Sequence, residues 1–160
     1  MFKALCCILL TGYGLTGQTA HPAAPPASQS ILKLDSTLTA LKNASAPPGS
    51  LSRQLAEIMM TLAVPDSQPA RSEVVGFTDE FARALAGTRF SNDQMAALRQ
   101  CLVDVMHTAG TSNFALARRL QDILTAIRVD DRKASLVIRR FLAIREAVRG
   151  PDDTGIERLE

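Results

Sequence analysis

From Ile31 to Val148, apolar residues recur every three or four positions, and nowhere do they alternate with polar ones as a half-buried strand requires. This periodicity constrains the fold more than any other feature. Side chains spaced by three and four gather on one face of an α-helix, while a strand sends successive side chains to opposite faces. A chain with one period throughout builds one kind of element. The expected fold class is all-α.

Local signals divide the pattern into segments. Leu34, Leu38 and Leu41 share a face of a first helix over about 31–43, ended by Ala46-Pro47-Pro48-Gly49. A second follows Ser50 with Leu51, Leu55, Ile58 and Leu62, and Pro65 and Pro69 mark the loop after it. The third carries Phe77, Phe81 and Leu85 and ends at Gly87. Its start is open between Ser72 and Thr78, because Gly76 inside a helix costs about 1 kcal/mol. The fourth opens on Ser91 and Gln94, a capping box flanked by Phe90 and Met95 at hydrophobic-staple positions. Met95, Leu98, Leu102 and Val105 carry it toward a stop at Gly110.

Thr111-Ser112 begins a fifth helix with Leu116, Leu120, Ile123 and Ile127 inward. Asp130 or Asp131 caps the sixth, whose face is Val137, Phe141, Ile144 and Val148 and whose end is Gly150-Pro151. Short loops favour antiparallel neighbours, so residues 31–150 are expected to form one compact antiparallel bundle of about five to six helices. One internal similarity competes with this reading. Leu55 to Thr61 resembles Leu102 to Thr108 at an offset of 47 residues, a period suited to a two-helix solenoid. Solenoids need about three repeats, and only two weak copies are present, so a closed bundle is preferred.

The first twenty residues read as a signal peptide. Lys3 precedes an apolar run from Ala4 to Leu10 that thins toward Leu15, and Thr19-Ala20 offers a cleavage site. The run is shorter than the roughly 20 apolar residues a membrane span needs. The expected location is therefore exported, periplasmic or secreted, with no transmembrane helix in the mature chain. Residues 21–30 (HPAAPPASQS) read as a Pro/Ala-rich tether, and residues 151–160 as a polar tail. Cleavage removes Cys6, Cys7 and Tyr13, leaving Cys101 as the one thiol and no internal disulfide.

Charge excludes little by itself. The net value is +2, and removal of Lys3 lowers it to +1, so no global field draws the chain to nucleic acid or membrane. The sixth helix is the local exception. It carries Arg132, Lys133, Arg139, Arg140, Arg145 and Arg149 against Glu146 alone, and Arg132, Lys133, Arg139 and Arg140 share the face opposite Phe141. A basic amphipathic helix suits an acidic protein surface or an anionic lipid surface, while its plainest role is a solvated outer face. Nucleic acid is disfavoured by export and by the scarcity of aromatic residues for base stacking.

Residues able to carry chemistry are few. Cys101 lies on the apolar face of its helix, where free cysteine packs as a small hydrophobe; its other prospect is an intermolecular disulfide. A nucleophilic thiol needs a base in reach, and His107, six positions on, diverges by about 120° around the helix. Asp104 and His107, three apart, are neighbours, yet a metal site needs three or four ligands and His21 is the other histidine. Met59, Met60, Met95 and Met106 fall on or beside apolar stripes, as core methionines do. No phosphate loop, metalloprotease helix or nucleophile elbow is present.

Phe90-Ser91-Asn92-Asp93-Gln94 resembles the Leu-Thr-x-x-Gln motif of small helical periplasmic chaperones at one of its three defining positions. A capping box produces the same pattern, and no activity is carried over from it. The expectation is an exported, non-catalytic interaction or scaffolding protein without cofactor or metal. Its partner would be an unidentified envelope protein, and its candidate surface Arg132, Lys133, Arg139 and Arg140. The alternative is a small envelope enzyme or a metal- or redox-handling protein using Cys101, Asp104 and His107.

Overall fold

The computed structural model describes residues 26–63, 68–107 and 111–149, so the expected signal peptide, the first half of the tether and the polar tail lie outside the described residues. All described elements are helices: α1 (Pro26–Lys42), α2 (Pro48–Leu62), α3 (Arg71–Leu85), α4 (Asn92–Val105), α5 (Asn113–Ala126) and α6 (Asp131–Arg149).

Helix starts follow the local chemistry. Ser91 accepts from the Gln94 backbone while the Gln94 side chain accepts from the Ser91 N–H, which completes the capping box at α4. Ser112 accepts from the Ala115 N–H at α5, and Asp130 Oδ1 accepts from the Arg132 and Lys133 N–H groups at α6. Pro48 begins α2, where its missing N–H leaves no helical bond unmade.

Four boundaries differ from the sequence expectation. α1 begins at Pro26, five residues before Ile31, so half of the supposed tether is helical. Ser30 is buried there, and so the added turn packs on the bundle. α2 begins at Pro48 and not after Ser50. α3 runs through Gly76 from Arg71, and Thr78 is a fully buried mid-helix residue whose hydroxyl donates to the Val75 carbonyl. α4 stops at Val105, short of Gly110, which lies outside the described residues.

Gly76 has a tertiary reason. A Cβ built there would meet the Arg140 guanidinium at 3.7 Å, so α3 offers a bare stretch of backbone across which the α6 arginine lies. At the end of α3, Gly87 takes φ +78°, and Thr88 N–H bonds the Leu85 carbonyl at 3.0 Å, a tight turn that favours glycine. α1 and α5 end on Schellman-type caps with non-glycine residues in the left-handed position. At α5 the Val129 N–H reaches the Leu124 carbonyl and the Arg128 N–H the Thr125 carbonyl, with Arg128 at φ 60°. Ala44, at φ 48°, does the same for α1.

Packing runs in the order α1, α2, α3, α6, α5, α4 and returns to α1, a closed ring of six helices. α3 and α4 follow each other in the chain yet do not pack together, so short connections did not make every consecutive pair neighbours. The ring closes along two seams. Between α1 and α4, Arg99 pairs with Asp35 at 2.8 Å and Lys42 donates to Asn92 at 2.7 Å. Between α3 and α6, the rings of Phe77 and Phe141 lie 6.0 Å apart, and Phe81 adds a second contact to Phe77 at 5.5 Å. A solenoid would leave its ends apart, and the closed order excludes it.

One core fills the ring. Leu34 and Leu38, Leu55 and Met59, Phe77 and Leu85, Leu98 and Leu102, Leu120 and Leu124, and Phe141 and Ile144 are all fully buried. Each side chain of this size contributes about 1.5–3 kcal/mol on leaving water. Among polar residues, Ser52 of α2 is buried and donates to Asp79 of α3, a polar tie across the α2–α3 interface.

Candidate functional site on the outer face of helix α6

The site follows from how α6 meets the ring. Val137, Phe141, Ile144 and Val148 are buried, so the opposite side of the helix faces solvent. At about 100° per residue, Arg139, Arg132, Leu136, Arg140 and Lys133 occupy one arc of roughly 120° on that side. All five are exposed, and Leu136, at 42% exposure, sits among the four cations. The described ion pairs are Glu57–Arg71, Glu80–Arg83, Asp35–Arg99 and Asp104–Arg119; none engages the four α6 cations. Arg140 is also set in place, because its guanidinium rests over Gly76 of α3. The result is a preoriented basic surface with an apolar centre.

Arg145, counted among the sixth helix's charges but not placed on its basic face, turns inward. It is fully buried, its Nε donates to Asn113 Oδ1 at 3.1 Å and its Nη2 to the Thr111 carbonyl at 3.1 Å. Its Nη1 donates to the carbonyls of Asp104 and His107. The carbonyls of Asp104 and His107 lie at the end of α4, where a helix leaves its last carbonyls short of intrahelical donors, and that of Thr111 lies in the connection to α5. Arg145 therefore fastens the α4–α5 connection from inside. Its neighbours Phe141 and Val148, one turn away on either side, were the available signal: both belong to the core face.

The alternative trio is not brought together as a site. Cys101 is fully buried within the core side of α4. Asp104, one turn on, accepts from Gln100 at 2.7 Å and pairs with Arg119 of α5 at 3.3 Å. His107 is exposed beyond the end of α4, and its backbone N–H donates to the Asp104 carbonyl at 3.3 Å. Burial pushes the Cys101 thiol from 9.0 up to about 11, with the Arg119 charge opposing and Asp104 assisting. A thiol so placed stays protonated and unreactive near neutral pH.

That shift has a measurable sign. Between pH 9 and about 11 the unfolded chain has lost the thiol proton and the folded chain keeps it. Stability attributable to Cys101 is thus complete below pH 9 and declines by about 1.4 kcal/mol per unit above it. Denaturant titrations from pH 8 to 11 should show a steeper alkaline decline in the parent than in Cys101→Ala. Equal slopes would contradict the burial account.

Met59 and Met106 are fully buried, and Met60 and Met95 pack against the core. Among the described residues no group of three or more His, Cys, Asp or Glu side chains is placed to hold a metal ion, and no helix is long and apolar enough to cross a membrane. No family model, curated protein or solved structure matches this chain. The functional reading rests on its own geometry.

Proposed function

We propose that the chain is an exported, non-catalytic interaction protein that meets an acidic partner protein through the outer face of α6. The observation that carries this reading is the set of four exposed cations, Arg132, Lys133, Arg139 and Arg140, none with an ion-pair partner among the described residues. A protein surface that balances its own charges scatters the two signs; a one-signed arc speeds encounter with an oppositely charged partner. Leu136 within the arc offers an apolar contact that the charges surround, the arrangement of a small interface with a dry centre and polar rim. The leader-like residues 1–20 support export and, with it, a partner in the envelope or outside the cell.

Crosslinking the mature protein in its own compartment and identifying what it captures tests the reading. The double reversal Arg139→Glu and Arg140→Glu should abolish capture of an acidic partner while leaving the fold intact, since both side chains are exposed. Undiminished capture by the reversed protein would remove the α6 face from consideration.

A further inference from the structure

At the end of the bundle where α6 begins, the α3–α4 and α5–α6 connections meet. They form a depression of about 420 Å³ lined by Gly87, Thr88, Arg89, Ala126, Ile127 and Arg128. Two arginines from separate connections, Arg89 and Arg128, thus line one small space. Neither has a carboxylate partner among the described residues: the described ion pairs lie elsewhere, and Asp130, two positions after Arg128, directs its Oδ1 to the Arg132 and Lys133 N–H groups. The Thr88 hydroxyl proton is committed to the Leu85 carbonyl at 2.7 Å. The two arginines bring the cationic donors of this lining.

Arg128 also stands where glycine is at home. Its φ of 60° is that of the left-handed cap closing α5, a conformation disfavoured for a residue with a Cβ. The cap itself gains nothing from an arginine side chain. Planar guanidinium groups match the oxygens of phosphate and carboxylate with paired N–H bonds, and the start of the α6 basic arc at Arg132 and Lys133 adds positive potential beside them.

We propose that this depression binds a compact oxyanion, phosphate or carboxylate, between Arg89 and Arg128. The site is separate from the outer face of α6 and does not depend on that face being a contact surface. The oxyanion has two sources, a free small anion or an acidic side chain of a partner protein.

The test is a titration of the full chain with inorganic phosphate at low ionic strength, followed by NMR of the backbone amides and arginine Nε–H groups. Expected are saturable shifts at Arg89, Arg128, Gly87 and Thr88. Arg89→Ala and Arg128→Gly should each weaken binding by about tenfold or more. Arg128→Gly relieves the left-handed backbone, so its melting temperature should hold or rise while its phosphate affinity falls. Arg139→Glu with Arg140→Glu should leave the affinity within about twofold, which separates this site from the α6 surface. A glutamate-rich peptide that displaces phosphate identifies the source as a partner's carboxylate; a peptide that leaves phosphate in place identifies a free anion. Shifts that fail to saturate, persist in the Arg89→Ala, Arg128→Gly double variant, or spread equally to Arg139 and Arg140 would overturn the proposal.

Discussion

Replacing Arg145 with methionine is expected to destabilise the protein by about 3–5 kcal/mol, a large share of the roughly 5–15 kcal/mol that holds a domain of this size. The change keeps much of the aliphatic stem but deletes every guanidinium donor. The carbonyls of Asp104, His107 and Thr111 and the Asn113 Oδ1 would lose this partner; Arg145 itself has no solvent exposure, Asp104 and Asn113 are half-buried, and His107 and Thr111 are exposed. A buried acceptor left without a donor costs about 1–3 kcal/mol. Urea titration should show a lower midpoint with an unchanged slope, and amide exchange should accelerate first around 107 and 111–113. Arg145→Lys should be intermediate, because an ammonium restores the charge without the planar fork that reaches three directions. An Arg145→Met protein as stable as the parent would refute the internal fastening.

Truncating Phe141 to alanine should cost about 3–5 kcal/mol. Phe141 is fully buried and meets Phe77 across the α3–α6 seam, so its loss opens a cavity where the ring of helices closes. Part of the effect is pairwise. A double-mutant cycle with Phe77→Ala should return a coupling of about 0.5–1.5 kcal/mol, whereas a cycle of Phe141→Ala with Leu38→Ala, residues on helices that do not pack together, should be additive. Additivity at the Phe77–Phe141 pair would mean the seam contributes no more than separate burial.

The helices were legible because each carried its own period, and the caps at Ser91, Ser112 and Asp130 because capping is local chemistry. What escaped the sequence was tertiary. Gly76 read as a helix breaker, and the reason for its presence sits on another helix, at Arg140. The pairing of α1 with α4 and the lack of contact between α3 and α4 have no local signature. Pro26 stands at the first position of α1, where proline is tolerated; its neighbours Pro22 and Pro25 made the whole stretch read as tether.

The candidate site was legible only in part. The spacing placed Arg132, Lys133, Arg139 and Arg140 on one face, and all four are exposed; what the count of charges left silent was that Arg145 is buried, because a count does not register which face a residue occupies. Arg89 and Arg128 gave no sign of meeting, since the depression joins two connections distant in sequence. A left-handed cap without glycine is likewise silent until the backbone is seen.

On the proposed reading, the outer face of α6 contacts a partner. A photo-crosslinking residue placed at Leu136, exposed among the four cations, tests it most directly, with the same residue at Gln100 on exposed α4 as the comparison. A discrete adduct is expected from position 136 in the native compartment, absent from position 100 and lost on Arg139→Glu with Arg140→Glu. No adduct from position 136, or one that survives the charge reversal unchanged, would contradict it.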